Sequence, residues 1–169
     1  MLAEVYEERR HPVKFEDIPQ LVKDAFLSAE DASFYTHPGV DFVSIVRALL
    51  KNIESKHTKQ GASTITQQVV KSLLLSKEKT WTRKAKEAIL AYRIEKALSK
   101  NEILSIYLNE VFLGSNAYGV KAAAKVHFHK ELNELTVAEA AFLGGLPQKP
   151  SVFTAKANRT KMEEEPVLA

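Results

Sequence analysis

A chain of 169 residues, 45% of them hydrophobic, suits one domain with a sizeable core; with no cysteine it has neither a disulfide framework nor a thiolate metal site. A formal net charge of +3 is too small to argue for a nucleic-acid partner, and no apolar run is long enough to span a membrane. Glycine and proline are scarce, at six each, and strand-like alternation is hard to find, so the expected class is all-α.

The first helix is expected to open at Pro19, with Ile18, Val22, Ala25, Phe26 and Ala29 at helical spacing and Glu30 near its end. After the Pro38-Gly39 break, Phe42, Ile45, Val46, Leu49 and Ile53 form a second apolar stripe, widened by Val43 and Leu50. Arg47, Lys51 and Lys56 beside it suit anionic lipid headgroups, while the apolar pattern suits a core-facing helix equally well. Ser63 is the expected N-cap of a third helix carrying Ile65, Val69, Leu73 and Leu74. Thr80 caps a long fourth helix through Ala85, Ala88, Ile89, Tyr92 and Leu98. Ser99-Lys100-Asn101-Glu102 is a capping-box pattern opening a fifth, with Ile103, Ile106 and Tyr107 buried. Residues 119–128 read as a further helix, and a second box at Thr136-Val137-Ala138-Glu139 heads a last one that stops near Gly144-Gly145 and Pro147. The domain is expected to occupy residues 1–153. Residues 154–169, with the acidic run Glu163-Glu164-Glu165, are expected to be a disordered tail.

The polar row Gly61-Ala62-Ser63-Thr64-Ile65-Thr66-Gln67-Gln68 is denser in hydroxyls and amides than a packed first turn requires. Capping accounts for Ser63 and part of Thr64 but not for adjacent Gln67 and Gln68. Amides and hydroxyls at a helix start suit a sugar or phosphate, and Gly61 allows close approach. Upstream, Glu30 stands against apolar Ala29 and Phe34. A carboxylate in such a setting is raised toward the pKa of a neutral-pH base, although a pair of solvated helix-end acids is the plainer reading of Glu30 and Asp31. Downstream, residues 71–100 hold nine basic side chains against three acidic ones. Glu87 lies there with Arg83 and Lys84 on its own helix face, which is either a simple intrahelical ion pair or part of a pyrophosphate pocket. In the second reading Lys71, Lys79, Arg83 and Lys84 carry the positive charge.

Together these segments resemble the family 51 glycosyltransferases, the peptidoglycan-polymerising domains of class A penicillin-binding proteins and monofunctional transglycosylases. The resemblance runs from about Ile18 to Phe153 through Glu30-Asp31-x-x-Phe34-x-x-His37-x-Gly39-x-Asp41, the 61–68 row followed by Lys71, Arg83-Lys84-x-x-Glu87, and Lys100-x-x-Ile103-Leu104-x-x-Tyr107-Leu108-Asn109. Ala117-Tyr118-Gly119 and Glu139-Ala140-Ala141-Phe142-Leu143 resemble the parts that follow. His127-Phe128-His129 stands where relatives have an aromatic-Phe-Gly turn.

The resemblance implies a lysozyme-like fold with a globular head and a smaller membrane-facing jaw. It implies polymerisation of lipid II into β-1,4-linked strands with release of undecaprenyl pyrophosphate, Glu30 being the base and Glu87 the second essential carboxylate. Asp31, Phe34, His37, Ser63, Thr64, Gln67, Gln68, Lys71, Lys79, Arg83 and Lys84 match its substrate-binding positions. No organic cofactor is expected, and a divalent cation, Mg or Mn, is the one candidate at the pyrophosphate. The expected partners are lipid II, the growing strand and the membrane surface, with a transpeptidase domain fused in a longer protein and no nucleic acid. The expected place is the outer face of a bacterial cytoplasmic membrane, with the anchor outside this sequence. The rivals are a lysozyme-type or lytic enzyme cutting the same glycan, an inactive relative, and a helical binding module using its basic face.

Overall fold

The computed structural model describes residues 9–47, 63–74 and 80–148. The chain divides into two compact units, one built from Met1–Ala29 with Leu108–Ala169 and the other from Glu30–Tyr107. The described secondary structure is almost entirely helical: α1 (Gln20–Glu30), α2 (residues 42–47), α3 (Ile65–Leu73), α4 (Trp81–Ala97), α5 (Lys100–Glu110), α6 (Val120–Phe128) and α7 (Val137–Gly145). Lys79, the outer part of the second apolar stripe and the 154–169 tail lie outside the described residues.

In the first unit Ile18, just before α1, and Val22 and Phe26 of α1 are buried, each contributing roughly 1.5–3 kcal/mol of transfer free energy. Gly144 of α7 lies against the α1 backbone, where a Cβ would stand 2.8 Å from the Ala25 carbonyl oxygen. Three consecutive alanines, Ala122 to Ala124, are fully buried on α6. The aromatic edge of this core is made by Phe142 with His127 and Phe128, all in edge-on geometry. Strands β1 (Arg9–Arg10) and β2 (Ala117–Tyr118) pair in parallel, Arg9 opposite Ala117. The side-chain amide of Asn109 extends this pairing, accepting from Val13 N–H at 2.8 Å and donating to Val13 C=O at 3.0 Å. Helix α6 ends at His129, which sits in the left-handed region (φ 57°, ψ 32°) with its N–H turned back on the Lys125 carbonyl. That is the place glycine usually takes.

The second unit packs α3 on α4 and holds Phe34, Ile65, Val69, Val70, Ala91, Ile103 and Leu104 in its core. Its caps explain where its helices begin. Thr80 Oγ1 accepts from Arg83 N–H, and Ser99 and Glu102 form the expected box. The third helix corrects the sequence expectation. Its N-cap is Thr64, not Ser63, because Thr64 and Gln67 complete a reciprocal capping box while Ser63 stays exposed. On α2, Phe42, Val43 and Val46 are exposed, so among the described residues this stripe faces away from the core.

Candidate active site

The carboxylates, the hydroxyl row and the cation pair all belong to the second unit, and α3 organises them. Asp31 begins the loop after α1 and is buried. Its Oδ2 accepts the Ile65 N–H at 3.0 Å, one of the first-turn donors of α3 that no helical carbonyl can reach. The same carboxylate accepts from His37 Nε2 at 2.9 Å, while His37 Nδ1 accepts the Gly39 N–H at 3.1 Å. That pair of bonds fixes the imidazole as the tautomer protonated on Nε2. Thr64 Oγ1 donates to the Gly39 carbonyl at 2.6 Å, so the start of α3 and the 31–39 loop are bonded to each other in both directions.

Gly39 has φ +97°, and a Cβ there would meet the Ala91 carbonyl oxygen at 2.9 Å and Glu95 Cγ at 3.0 Å. Farther along, Asp41 accepts hydroxyls from Ser33 and Ser44 and the Ser44 N–H. The Ser33 hydroxyl first, then the Ser44 groups, hold its carboxyl well below the usual carboxylate range.

Glu30, the last residue of α1, is partly buried and its Oε2 accepts from Gln68 Nε2 at 2.7 Å. Gln68 is thereby tied to the carboxylate that the family resemblance implies is the base. Gln67 is different, being 2% exposed with its Oε1 held by the Thr64 N–H at 3.1 Å. Capping accounts for it fully. Tyr107 of α5 is buried close to this end of the site. Burial raises its phenol well above the ordinary range, and the charges of Glu30 and Asp31 add to that, so it keeps its proton.

Glu87 occupies the middle of α4 and is 1% exposed. Lys84 Nζ bonds Oε1, and Arg83 Nη1 stands 3.5 Å from Oε2. The i+3 and i+4 spacings place both cations on the Glu87 face, as the sequence expected of an intrahelical cluster. Lys84 also donates to the exposed Ser63 hydroxyl at 3.0 Å, which links the cluster to the polar row. Arg83 Nε is buried with no hydrogen-bond partner among the described residues. Lys71, one turn beyond Gln67 on α3, is exposed.

The described members of the expected site thus form three groups, with exposed Lys71 outside them. Asp31, Phe34, His37, Thr64 and Gln67 are buried. Glu30 with Gln68 makes the second group, and Ser63, Lys84, Arg83 and Glu87 the third. Sequence reasoning missed a further network behind them: Thr66 donates to Glu95, Lys100 Nζ donates to Glu95 Oε1 at 2.8 Å, and Lys100 Nζ also donates to the His37 carbonyl at 2.7 Å.

The chain matches the transglycosylase family over residues 1–168. It is 49% identical to penicillin-binding protein 1A of Haemophilus influenzae over 97% of its length, which is 19% of that protein. It is 48% identical to penicillin-binding protein 1A of Neisseria lactamica over 96% of its length, 21% of that relative. The chain therefore spans about one fifth of the curated relatives it matches. A crystal structure of penicillin-binding protein 1A from Haemophilus influenzae aligns over 96% of this chain and 18% of that one, at 26% identity and a TM-score of 0.45. The family match, on a chain whose described secondary structure is almost entirely helical, agrees with the expected all-α, lysozyme-like class. The chain belongs to the transglycosylase family, the peptidoglycan glycosyltransferases of cell-wall synthesis.

Proposed function

We propose that this domain polymerises lipid II into β-1,4-linked glycan, with Glu30 as the base. Glu30 takes the proton of the acceptor sugar's 4-hydroxyl as that oxygen attacks the anomeric carbon of the growing strand. The bond to the pyrophosphate breaks on the opposite face, so an α-linked donor gives a β-linked product in one displacement. The observation that carries this reading is the pairing of Gln68 with Glu30 at 2.7 Å, on the same helix start that Lys84 reaches through Ser63. Gln68 aims the carboxylate, and Lys84, Arg83 and Lys71 supply cations for the departing undecaprenyl pyrophosphate. Asp31, His37, Thr64 and Gln67 hold these groups from behind, which leaves direct substrate contact to Ser63, Gln68, Lys71, Arg83 and Lys84.

Glu87 keeps the two cations in place. Among the described residues no three His, Asp or Glu side chains gather as a metal cage, and both Glu87 oxygens already face cations. A divalent cation would enter with the pyrophosphate as part of the substrate, which polymerisation with and without a chelator tests. The exposed Phe42, Val43 and Val46 beside Arg47 support contact with a lipid surface. Among the described residues no helix is long and apolar enough to cross a membrane. The domain is proposed to work on the outer face of the cytoplasmic membrane, within a longer protein that also carries a transpeptidase.

The test is polymerisation of labelled lipid II by the purified chain and by Glu30→Gln. Loss of polymer in the variant is expected, and undiminished polymer would sink Glu30 as the base. Cleavage of finished glycan without synthesis would favour the lytic rival.

A further inference from the structure

We infer that Lys100 is a positioning residue for the glycosyl transfer, acting on Glu30 through the 31–39 loop; this rests on the reading of Glu30 as the base. Lys100 opens α5 with its side chain turned into the second unit, where it is mostly buried. Its ammonium donates to the His37 carbonyl at 2.7 Å and to Glu95 Oε1 at 2.8 Å, and lies 4.5 Å from the centroid of the buried Phe34 ring. Two of a lysine's three donors are thus spent on protein oxygens and the ammonium rests on an aromatic face. A side chain committed in this way is not available to a phosphate.

The route from Lys100 to Glu30 is short and made of hydrogen bonds. Lys100 fixes the His37 backbone, and the His37 ring donates to Asp31 at 2.9 Å. Asp31 is the covalent neighbour of Glu30 and is anchored to the α3 start at the Ile65 N–H. Gln68, one turn into that helix, holds Glu30. The ammonium therefore ties α5, the loop and, through Glu95 and Thr66, the buried side of α3 into one body. A catalytic base works only within a narrow range of positions, so slack anywhere along this chain falls on the rate of reaction more than on substrate affinity.

Lys100→Met is expected to lower kcat by about 10- to 100-fold while KM changes by less than about threefold. It also leaves Glu95 without its cation and lowers the melting temperature. Lys100→Met with Glu95→Gln removes both charges, and its melting temperature is expected to recover toward wild type while kcat stays low. In a Glu30→Gln background, Lys100→Met is expected to add no further loss, because its effect passes through the base. A kcat for Lys100→Met within twofold of wild type would overturn the inference, as would recovery of kcat together with stability in the double variant. Full activity of Glu30→Gln alone is a separate outcome; it would remove the base reading whatever the Lys100 variants do.

Discussion

Glu30 and Glu87 both fall in the second unit, yet an amide binds one carboxylate and two cations face the other. Glu30 ends its helix, is partly buried and receives a neutral amide from Gln68. Glu87 lies mid-helix, is 1% exposed and faces an ammonium and a guanidinium. In the proposed reaction Glu30 takes up the proton, and Glu87 keeps the two positive charges together.

The most severe way to break this contrast is at Glu30 itself. Glu30→Gln is expected to cost about 100- to 10,000-fold in polymerisation rate while stability stays within about 0.5 kcal/mol of wild type. Glu87→Gln should behave differently in urea unfolding. Removing one side of a buried ion pair costs about 3–5 kcal/mol, and because the Lys84 side chain is 43% exposed the expected loss is nearer 1–3 kcal/mol. Equal stability of the two variants would erase the distinction. Gln68→Ala removes a hydrogen bond to a charged group and should lower the rate roughly tenfold with little change in melting. A rate unaffected by that change would mean Gln68 does not aim the base.

Asp41 adds a third case, a carboxylate held by hydroxyls. Its folded pKa lies below the unfolded value, so its stabilisation is present above the ordinary aspartate range and is lost as pH falls through the folded value. Asp41→Asn should therefore melt lower than wild type at pH 7, with the gap narrowing below about pH 4. A gap that stayed constant with pH would show that the charge is not what the serines stabilise.

Most of the helices could be read from local chemistry because their signals are local. Thr80, the Ser99–Glu102 box and the Thr136–Glu139 box each cap the helix expected of them. The choice between Ser63 and Thr64 failed because two hydroxyl residues stood side by side. The deciding signal was present three residues on, where Thr64 has Gln67 as a capping-box partner and Ser63 has only Thr66. The carboxylates and cations of the site were legible as motifs, and the Arg83, Lys84 and Glu87 spacing foretold their cluster. The Lys100 network was not. Glu95 and Lys100 are five residues apart, which on one continuous helix is not a facing pair. Leu98, in extended conformation at the end of α4, breaks the helix between them and brings the two together. Thr66 was hidden for a related reason, since a hydroxyl in a polar row gives no local sign that it faces a buried carboxylate.

Gly39 shows how such a site limits the sequences that can encode it. Its backbone conformation and the Ala91 carbonyl close against it together exclude every side chain, while Thr36 and Pro38 nearby are exposed. In a saturation library the loop would therefore tolerate broad variation at 36 and 38 and almost none at 39. The boundary between them would be set by steric room alone, at a residue that has no side chain to contribute to the reaction.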